Sequence, residues 1–354
     1  MADTTTMATT AATAATTPSA TETTMAIPNS MWSSPKIIED GALVILFENH
    51  TSVTYCYAKK GEVFYNRHGA FHHNDMIGQP FGSKIDSRDK KLKGYMLLLA
   101  PTPELWSRVL RHRTQIVFTL DASAIQFAAA LRSGHRVVES GTGSGALTTS
   151  FARTVAPHGH VFTFEFNPTR ARIATEEFQR NGLSDVVTVD CRDACEKGFP
   201  EELVGTIDLV FLDLPCPWKA IGHATKMLKQ GGFFASYSPC IEQVQKTCDG
   251  LREAGYEQIK TIETRLVPFS SRSVDLPVPD FGFDTAASSS TESSKPATDS
   301  AESNGNESAE SASQPSAKKR RINGKSVGDN LVARKDNEIR GHTAFLTFAS
   351  KFFA

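Results

Sequence analysis

Four carboxylates, Glu139, Glu165, Asp193 and Asp213, recur along one stretch of the chain, each at or just after a short apolar run. The runs are His135–Glu139, His160–Phe166, Val186–Asp190 and Ile207–Leu212, and helix signals separate them. Strands alternating with helices read as an α/β sheet, whose ligands bind outside the carboxyl ends of the strands. Acids at those ends accept hydrogen bonds from amines and hydroxyls and attract cations. A single acid there is ordinary loop chemistry, whereas four on successive strand ends describe a ligand bed.

Glu139 runs directly into Ser140-Gly-Thr-Gly-Ser-Gly145, and a helix is expected from Ala146 to Val155. Gly141, Gly143 and Gly145 permit a tight turn and a close approach of ligand to backbone, and the helix adds unpaired N–H groups and a positive dipole. This is a nucleotide-type cradle, but the loop alone leaves two cofactors open. Gly141-x-Gly143-x-x-Ala146, with Glu165 about 20 residues further on as a ribose acceptor, also fits a dinucleotide fingerprint and so a dehydrogenase. Glu139 beside the loop suits a cationic sulfonium and ammonium better than a pyrophosphate, which favours S-adenosylmethionine.

Asp213 opens Asp213-Leu-Pro-Cys-Pro-Trp218 after the fourth strand. An Asp with a proline two residues on, at that strand end, is placed to bind a base amine and to take up a proton as a ring nitrogen becomes cationic. Cys216 opens a second chemistry, covalent attack on a pyrimidine ring by an RNA cytosine-C5 methyltransferase. Pro217-Trp218 is not the continuation expected of that class. Trp218 is expected to pack the following helix rather than stack a base.

These residues need a frame. Residues 36–105 read as a small β domain, with strands at 42–47, 52–57 and 95–100 and Pro101-Thr-Pro103 closing it. Residues 106–283 read as the α/β domain, with helices at 146–155, 168–181, 217–229 and 241–254 and a sixth strand at 258–267. Gly231-Gly232 is expected to stop the third of those helices. Residues 1–35 and 284–337 are polar and of low complexity and are expected to be disordered. Residues 338–354 return as a last strand, expected antiparallel because it has no crossover helix of its own.

The chain has 354 residues and a formal net charge of −1, so charge as a total excludes nothing. No apolar run reaches the roughly 20 residues that span a membrane, and residues 1–35 lack the basic and apolar regions of a secretory signal. The six cysteines show neither a CxxC nor a zinc spacing, so no metal site is expected. Residues 81–115 carry eight Lys or Arg against three Asp or Glu, a stretch suited to a phosphate backbone. Lys318-Lys-Arg-Arg321 is a short basic run of the kind that serves nuclear import.

Seven motifs together resemble the catalytic-subunit family of the eukaryotic tRNA adenine-58 N1-methyltransferase. They are Pro80-Phe-Gly-Ser-Lys84, Pro101-Thr-Pro-Glu-Leu-Trp106, His112-Arg-Thr-Gln-Ile116, Glu139–Gly145, Asp213–Trp218, Ser238-Pro-Cys-Ile-Glu-Gln-Val244 and Gly341-His-Thr343. They occur in the family's order over residues 36–282 and 340–354. The resemblance implies a class I methyltransferase Rossmann-like sheet behind an N-terminal β-barrel. It also implies S-adenosylmethionine as donor, tRNA as substrate, a nuclear location and a heterotetramer with a related non-catalytic subunit. Carried over, cofactor contacts fall on Val117, Ser144, Gly145, Ala146, Glu165, Arg170, Asp193 and Ala194, beside Glu139, Gly141 and Gly143 of the cradle. Asp213 becomes catalytic and also borders the cofactor. RNA contacts fall on Gln115, Ile116, Phe118 and Thr119, then Leu212, Leu214 and Pro215. A last set comprises Tyr237, Ser238, Pro239, Cys240, Gln243 and Thr343. Cys216 is the main departure from the family pattern, because relatives can carry serine there, which argues against a covalent role. A non-enzymatic RNA-binding subunit is the remaining rival, and an intact glycine loop together with Asp213 argues against it.

Overall fold

The computed structural model describes residues 36–89, 92, 94–274, 330–335 and 341–352. They fall into two units, Leu266–Arg340 and the remainder.

The larger unit begins with a hairpin of β1 (Leu43–Asn49) and β2 (Ser52–Tyr57). Asn49 makes the turn, its Oδ1 accepting from the backbone N–H groups of Thr51 and Ser52, both at 2.9 Å. A second hairpin joins β3 (Val63–Asn66) to β4 (Gly69–His72), and β5 (Lys84–Asp86) and β6 (Tyr95–Leu99) follow. The four-stranded antiparallel sheet runs β2-β1-β6-β5. Sheet and second hairpin enclose one core, in which Val44, Leu46, Phe71, Met76 and Leu98 are buried.

Pro101-Thr-Pro103 does more than close this domain. Thr102 caps α1 (Pro103–Val109), its hydroxyl accepting from Leu105 N at 3.2 Å, with proline in the first turn where a missing N–H costs nothing. Trp106 of α1 is 1% exposed and meets the Tyr55 ring edge-on at 5.0 Å, joining the β domain to the core of the main sheet. After it comes α2 (Thr119–Ala128), which the sequence reading did not anticipate.

The main sheet is built from β7 (Arg136–Ser140), α3 (Ala146–Val155), β8 (His160–Glu165), α4 (Pro168–Arg180) and β9 (Val187–Cys191). It continues with β10 (Ile207–Leu212), α5 (Ile221–Met227), β11 (Leu228–Ser238), α6 (Ile241–Glu253) and β12 (Glu257–Glu263). The smaller unit is an antiparallel hairpin of β13 (Phe269–Val274) and β14 (Asn330–Lys335). The chain returns to the main sheet as β15 (Phe345–Ser350), antiparallel to both β11 and β12 and lying between them.

Strand order is β12-β15-β11-β10-β7-β8-β9. The order reverses between β7 and β10, and at such a switch point the strand ends leave a crevice. The apolar runs have no polar face because the central strands are covered on both sides. Val137, Leu209 and Phe211 pack under α2 and α3, and Val138, Val210 and Leu212 pack under α5 and α6.

Four expectations are corrected. The helix expected over 217–229 is a 3-10 turn at Pro217–Ala220 followed by α5, ending at Met227. Gly231 and Gly232 stop no helix; they lie inside β11, which starts at Leu228. The sixth strand ends at Glu263 rather than 267, and residues 330–335, assigned to the insert, form β14. Residues 1–35 and the Lys318–Arg321 run lie outside the described residues.

Because Trp106 bridges two cores, Trp106→Ala is expected to lower unfolding stability by about 3–5 kcal/mol, the usual cost of emptying a large aromatic site. Chemical denaturation of the two proteins measures it; a change below about 1 kcal/mol would refute the bridging role.

Candidate active site

The ends of β7 and β10 meet at the switch point. The strands are paired in register, Phe211 opposite Glu139 and Leu212 opposite Ser140, and Asp213 N donates to Ser140 O at 2.9 Å. Gly141, Gly143 and Gly145 all have positive φ, at 103°, 53° and 78°. A Cβ on Gly141 would lie 2.3 Å from the Asp213 carbonyl oxygen, so this loop is pressed onto the end of β10 and only glycine fits there. No side chain caps α3, which leaves its first N–H groups facing the cavity beside Ala146.

Arg113 and Ser144 lock the loop from behind. Arg113 donates to Ser144 O at 3.0 Å and pairs with Glu177 of α4 at 2.6 Å. The Ser144 hydroxyl accepts from Arg113 N at 2.9 Å and Thr114 N at 3.1 Å. The Ser144 side chain is therefore engaged with the 113–114 segment, which leaves its backbone for any cofactor contact. The basic stretch 81–115 is partly spent in the same way: Arg113 is buried, Arg88 pairs with Asp75, and Lys84 pairs with Asp86 at 2.9 Å. Lys90, Lys91 and Lys93 lie outside the described residues.

A cavity of roughly 740 Å³ opens in front of the loop. Its walls bring together Gly141, Gly143, Glu165, Arg170, Asp193 and Ala194 with Asp213, Leu214, Pro215, Pro239, Gln243 and Gln115. An adjoining narrow cleft holds Ile116, Val117, Glu139, Ser144, Gly145 and Ala146. Phe118, Thr119, Leu212, Tyr237, Ser238, Cys240 and Thr343 line neither. Leu212 is fully buried in the core under α5, so its side chain has no access to RNA. The hydroxyls of Ser238 and Thr343 are buried without a hydrogen-bond partner. Gln243 is committed within the protein, its Nε2 donating to Pro215 O at 3.0 Å and its Oε1 accepting from Cys240 N at 3.3 Å.

Glu139 is 1% exposed; Thr148 and Thr163 donate to its Oε2 at 2.5 and 2.7 Å. Burial lifts its pKa to about 7 against those hydrogen bonds, with the negative charges of Asp213 and Glu165 adding to the rise. Burial alone pushes Asp213 up to about 7 as well. Among the described residues no cation pairs with either acid. Two desolvated carboxyls with no counter-ion fit a cationic ligand and repel a pyrophosphate. That chemistry, with the glycine cradle, matches S-adenosylmethionine and disfavours a dinucleotide.

Glu165 accepts from Gly143 N at 3.1 Å through Oε2, and from Asn167 N at 3.0 Å and Arg170 at 2.6 Å through Oε1. A carboxylate offers about four acceptor sites, so one remains for a ribose hydroxyl. Asp193 Oδ1 holds the turn that follows it through Cys195 N at 2.8 Å. The sequence reading missed Phe166, which is 65% exposed on the cavity wall with the Arg170 guanidinium 5.0 Å from its ring centroid. Its signal was available: an aromatic directly after the ribose acid, a flat apolar surface beside Asp193.

Cys216 lines the cavity, but its neighbour Cys195 directs its thiol to the Cys216 carbonyl at 3.9 Å rather than activating the Cys216 sulfur. Trp218 packs on the core under α5 and α6 with Lys246 over its ring, which leaves it unavailable to stack a base.

Sheet order, cradle and paired acids define a class I S-adenosylmethionine-dependent methyltransferase. Residues 94–351 match the family described as the tRNA methyltransferase complex GCD14 subunit, and the chain belongs to that family. It is 44% identical over 244 residues to the tRNA (adenine(58)-N(1))-methyltransferase catalytic subunit of Dictyostelium discoideum, across 68% of this chain and 78% of that one. A crystal structure of an S-adenosylmethionine-dependent O-methyltransferase from Thermotoga maritima superposes with a TM-score of 0.66 at 25% identity, covering 90% of this chain and 96% of the other. The tRNA (m1A58) methyltransferase of Aquifex aeolicus gives a TM-score of 0.59 at 18% identity, over 89% and 99%, and shares the fold.

Both acids have native pKa values near 7, above those of the unfolded chain. The native protein therefore binds more protons between about pH 4.5 and 7, and its stability falls as pH rises through that window. A cationic ligand favours the ionised acids, so its affinity must rise over the same range. S-adenosylmethionine affinity is expected to tighten about tenfold per acid from pH 6 to pH 8, with proton release on binding. Glu139→Gln should flatten part of that dependence. Calorimetry in buffers of differing ionisation enthalpy reads both; a pH-independent affinity would rule the account out.

Proposed function

We propose that this chain methylates N1 of adenine 58 in the T loop of tRNA, as the catalytic subunit of a complex with a related non-catalytic subunit. The observation that carries this is Asp213: a half-buried, desolvated acid without a counter-ion among the described residues, shared by the glycine cradle and a wider cavity. The relative in Dictyostelium discoideum bears that activity in its name, and the family description speaks of a complex. A heterotetramer is the assembly we propose, and Lys318–Arg321 supports a nuclear location.

S-adenosylmethionine, when bound, supplies an electrophilic methyl group on a cationic sulfonium. The rest falls to the protein. A T-loop adenine leaves its stack, which costs a few kcal/mol, and enters the cavity. Ionised Asp213 accepts a hydrogen bond from the exocyclic amine and so turns the N1 lone pair toward the methyl group. As N1 gains the methyl the ring becomes cationic, and Asp213 is already desolvated beside it. Pro215 stiffens the loop, and Gln243 ties the Pro215 carbonyl to α6.

Methylation of bulk tRNA, with and without the partner subunit, followed by mapping of the modified nucleoside, tests the assignment; a product other than 1-methyladenosine overturns it. Asp213→Ala is expected to lower turnover at saturating S-adenosylmethionine by about 10²–10³-fold or more, a larger effect than the roughly tenfold weakening of cofactor binding expected from losing one of the two acids. Cys216→Ser should stay active, whereas loss of turnover in that variant would revive the covalent cytosine chemistry.

A further inference from the structure

His342 belongs to none of the roles assigned so far. It lies just before β15 and bridges two other elements. Its Nδ1 is 2.9 Å from Glu263 Oε1 at the end of β12, and its Nε2 is 3.2 Å from the carbonyl oxygen of Pro239, in the loop between β11 and α6. Both partners only accept hydrogen bonds when Glu263 is ionised. A neutral imidazole has a single N–H and satisfies one of them; the geometry requires both nitrogens to be protonated. We infer that His342 is a positioning residue for RNA, which as an imidazolium holds the Pro239 loop against the sheet edge.

The charged groups facing the ring are Glu263 and Arg265, both from the end of β12. Arg265 also pairs with Glu263, at 3.2 Å. From β15 the ring meets Phe345, with centroids 4.5 Å apart, and from the β11–α6 loop it meets the Pro239 carbonyl. Glu263 raises the His342 pKa above its ordinary 6.5, more than Arg265 lowers it, while His342 and Arg265 hold Glu263 below the usual carboxylate range. When the ring loses a proton, the one on Nδ1 is retained by the carboxylate and the one on Nε2 leaves. The Pro239 contact is then the one that breaks.

That contact holds a wall of the cavity, because Pro239 lines it together with Gln243 and Pro215. Thr343 follows His342 directly and Ser238 precedes Pro239, two of the positions at which the family resemblance implies RNA contacts. Cys240 N and the Pro215 carbonyl are joined through Gln243. Protonated His342 thus anchors one end of a chain of contacts that runs from the sheet edge to the Asp213 loop. Its loss should loosen substrate binding and leave the cofactor cradle alone.

The inference rests on the assignment of this cavity to tRNA methylation, and the test separates the two. At saturating S-adenosylmethionine, KM for tRNA should rise roughly fivefold as the pH is raised through the His342 titration above 6.5, with kcat changed less than about twofold. His342→Gln should abolish the rise, and Glu263→Gln should move it to lower pH. A rise that persists in His342→Gln, or stays put in Glu263→Gln, overturns the inference. So does an effect confined to kcat. Nuclear magnetic resonance of the His342 ring in the wild-type chain needs no activity: titration above 6.5, shifted down in Glu263→Gln, supports the bridge. Titration at or below 6.5 overturns it even if no tRNA is methylated, an outcome that would separately sink the functional assignment.

Discussion

Two carboxyl groups, buried Glu139 and half-buried Asp213, are withdrawn from water near each other and, among the described residues, without a cation, and the rest of the site is arranged around that cost. Burying one ionised carboxylate is expensive, and two repel. In the free state both groups avoid the penalty by holding protons up to about pH 7. A cation from outside lets them ionise. Ligand choice is thus set by an electrostatic debt rather than by a glycine pattern, which a dinucleotide would satisfy equally well.

The fold is what keeps the two acids together. They stand at the ends of β7 and β10, adjacent in the sheet yet about seventy residues apart in the chain, on the two sides of the reversal in strand order. Gly141 has a φ of 103° and no room for a Cβ against the Asp213 carbonyl, so the glycine cradle and the Asp213 loop share one backbone contact. Arg113 then clamps the glycine loop to α4. A shift in any of these elements would move both acids at once.

Much of this was legible in the chain. Central strands buried on both faces show as unbroken apolar runs, which is why β7, β8 and β10 were placed within a residue or two. Asn167, Pro168 and Gly145 carry helix boundaries in their own conformational preferences. The errors fall where tertiary contact overrides such preferences. Gly231-Gly232 resembles a helix stop, yet Gly231 N donates to Lys351 O and the pair continues β11. Helix α2 has no side-chain cap and an exposed Phe127, so it shows little local signal. Arg113 looked like a phosphate ligand because a count of charges cannot see that Glu177 already faces it.

The same limit explains why His342 carried no meaning in the sequence beyond its place in a motif. Its partners, Glu263 and Pro239, lie 79 and 103 residues away, and only the insertion of β15 between β11 and β12 brings the three together. An antiparallel strand at that position needs no crossover helix, so its leading residues are free to cover the carboxyl ends of its two neighbours. Those ends carry Ser238, Pro239 and Glu263. Return of the chain to the sheet therefore does two things. It joins the edge strand β12 to β11, and it delivers a titratable anchor to Pro239, on the wall of the cavity that Asp213 also lines.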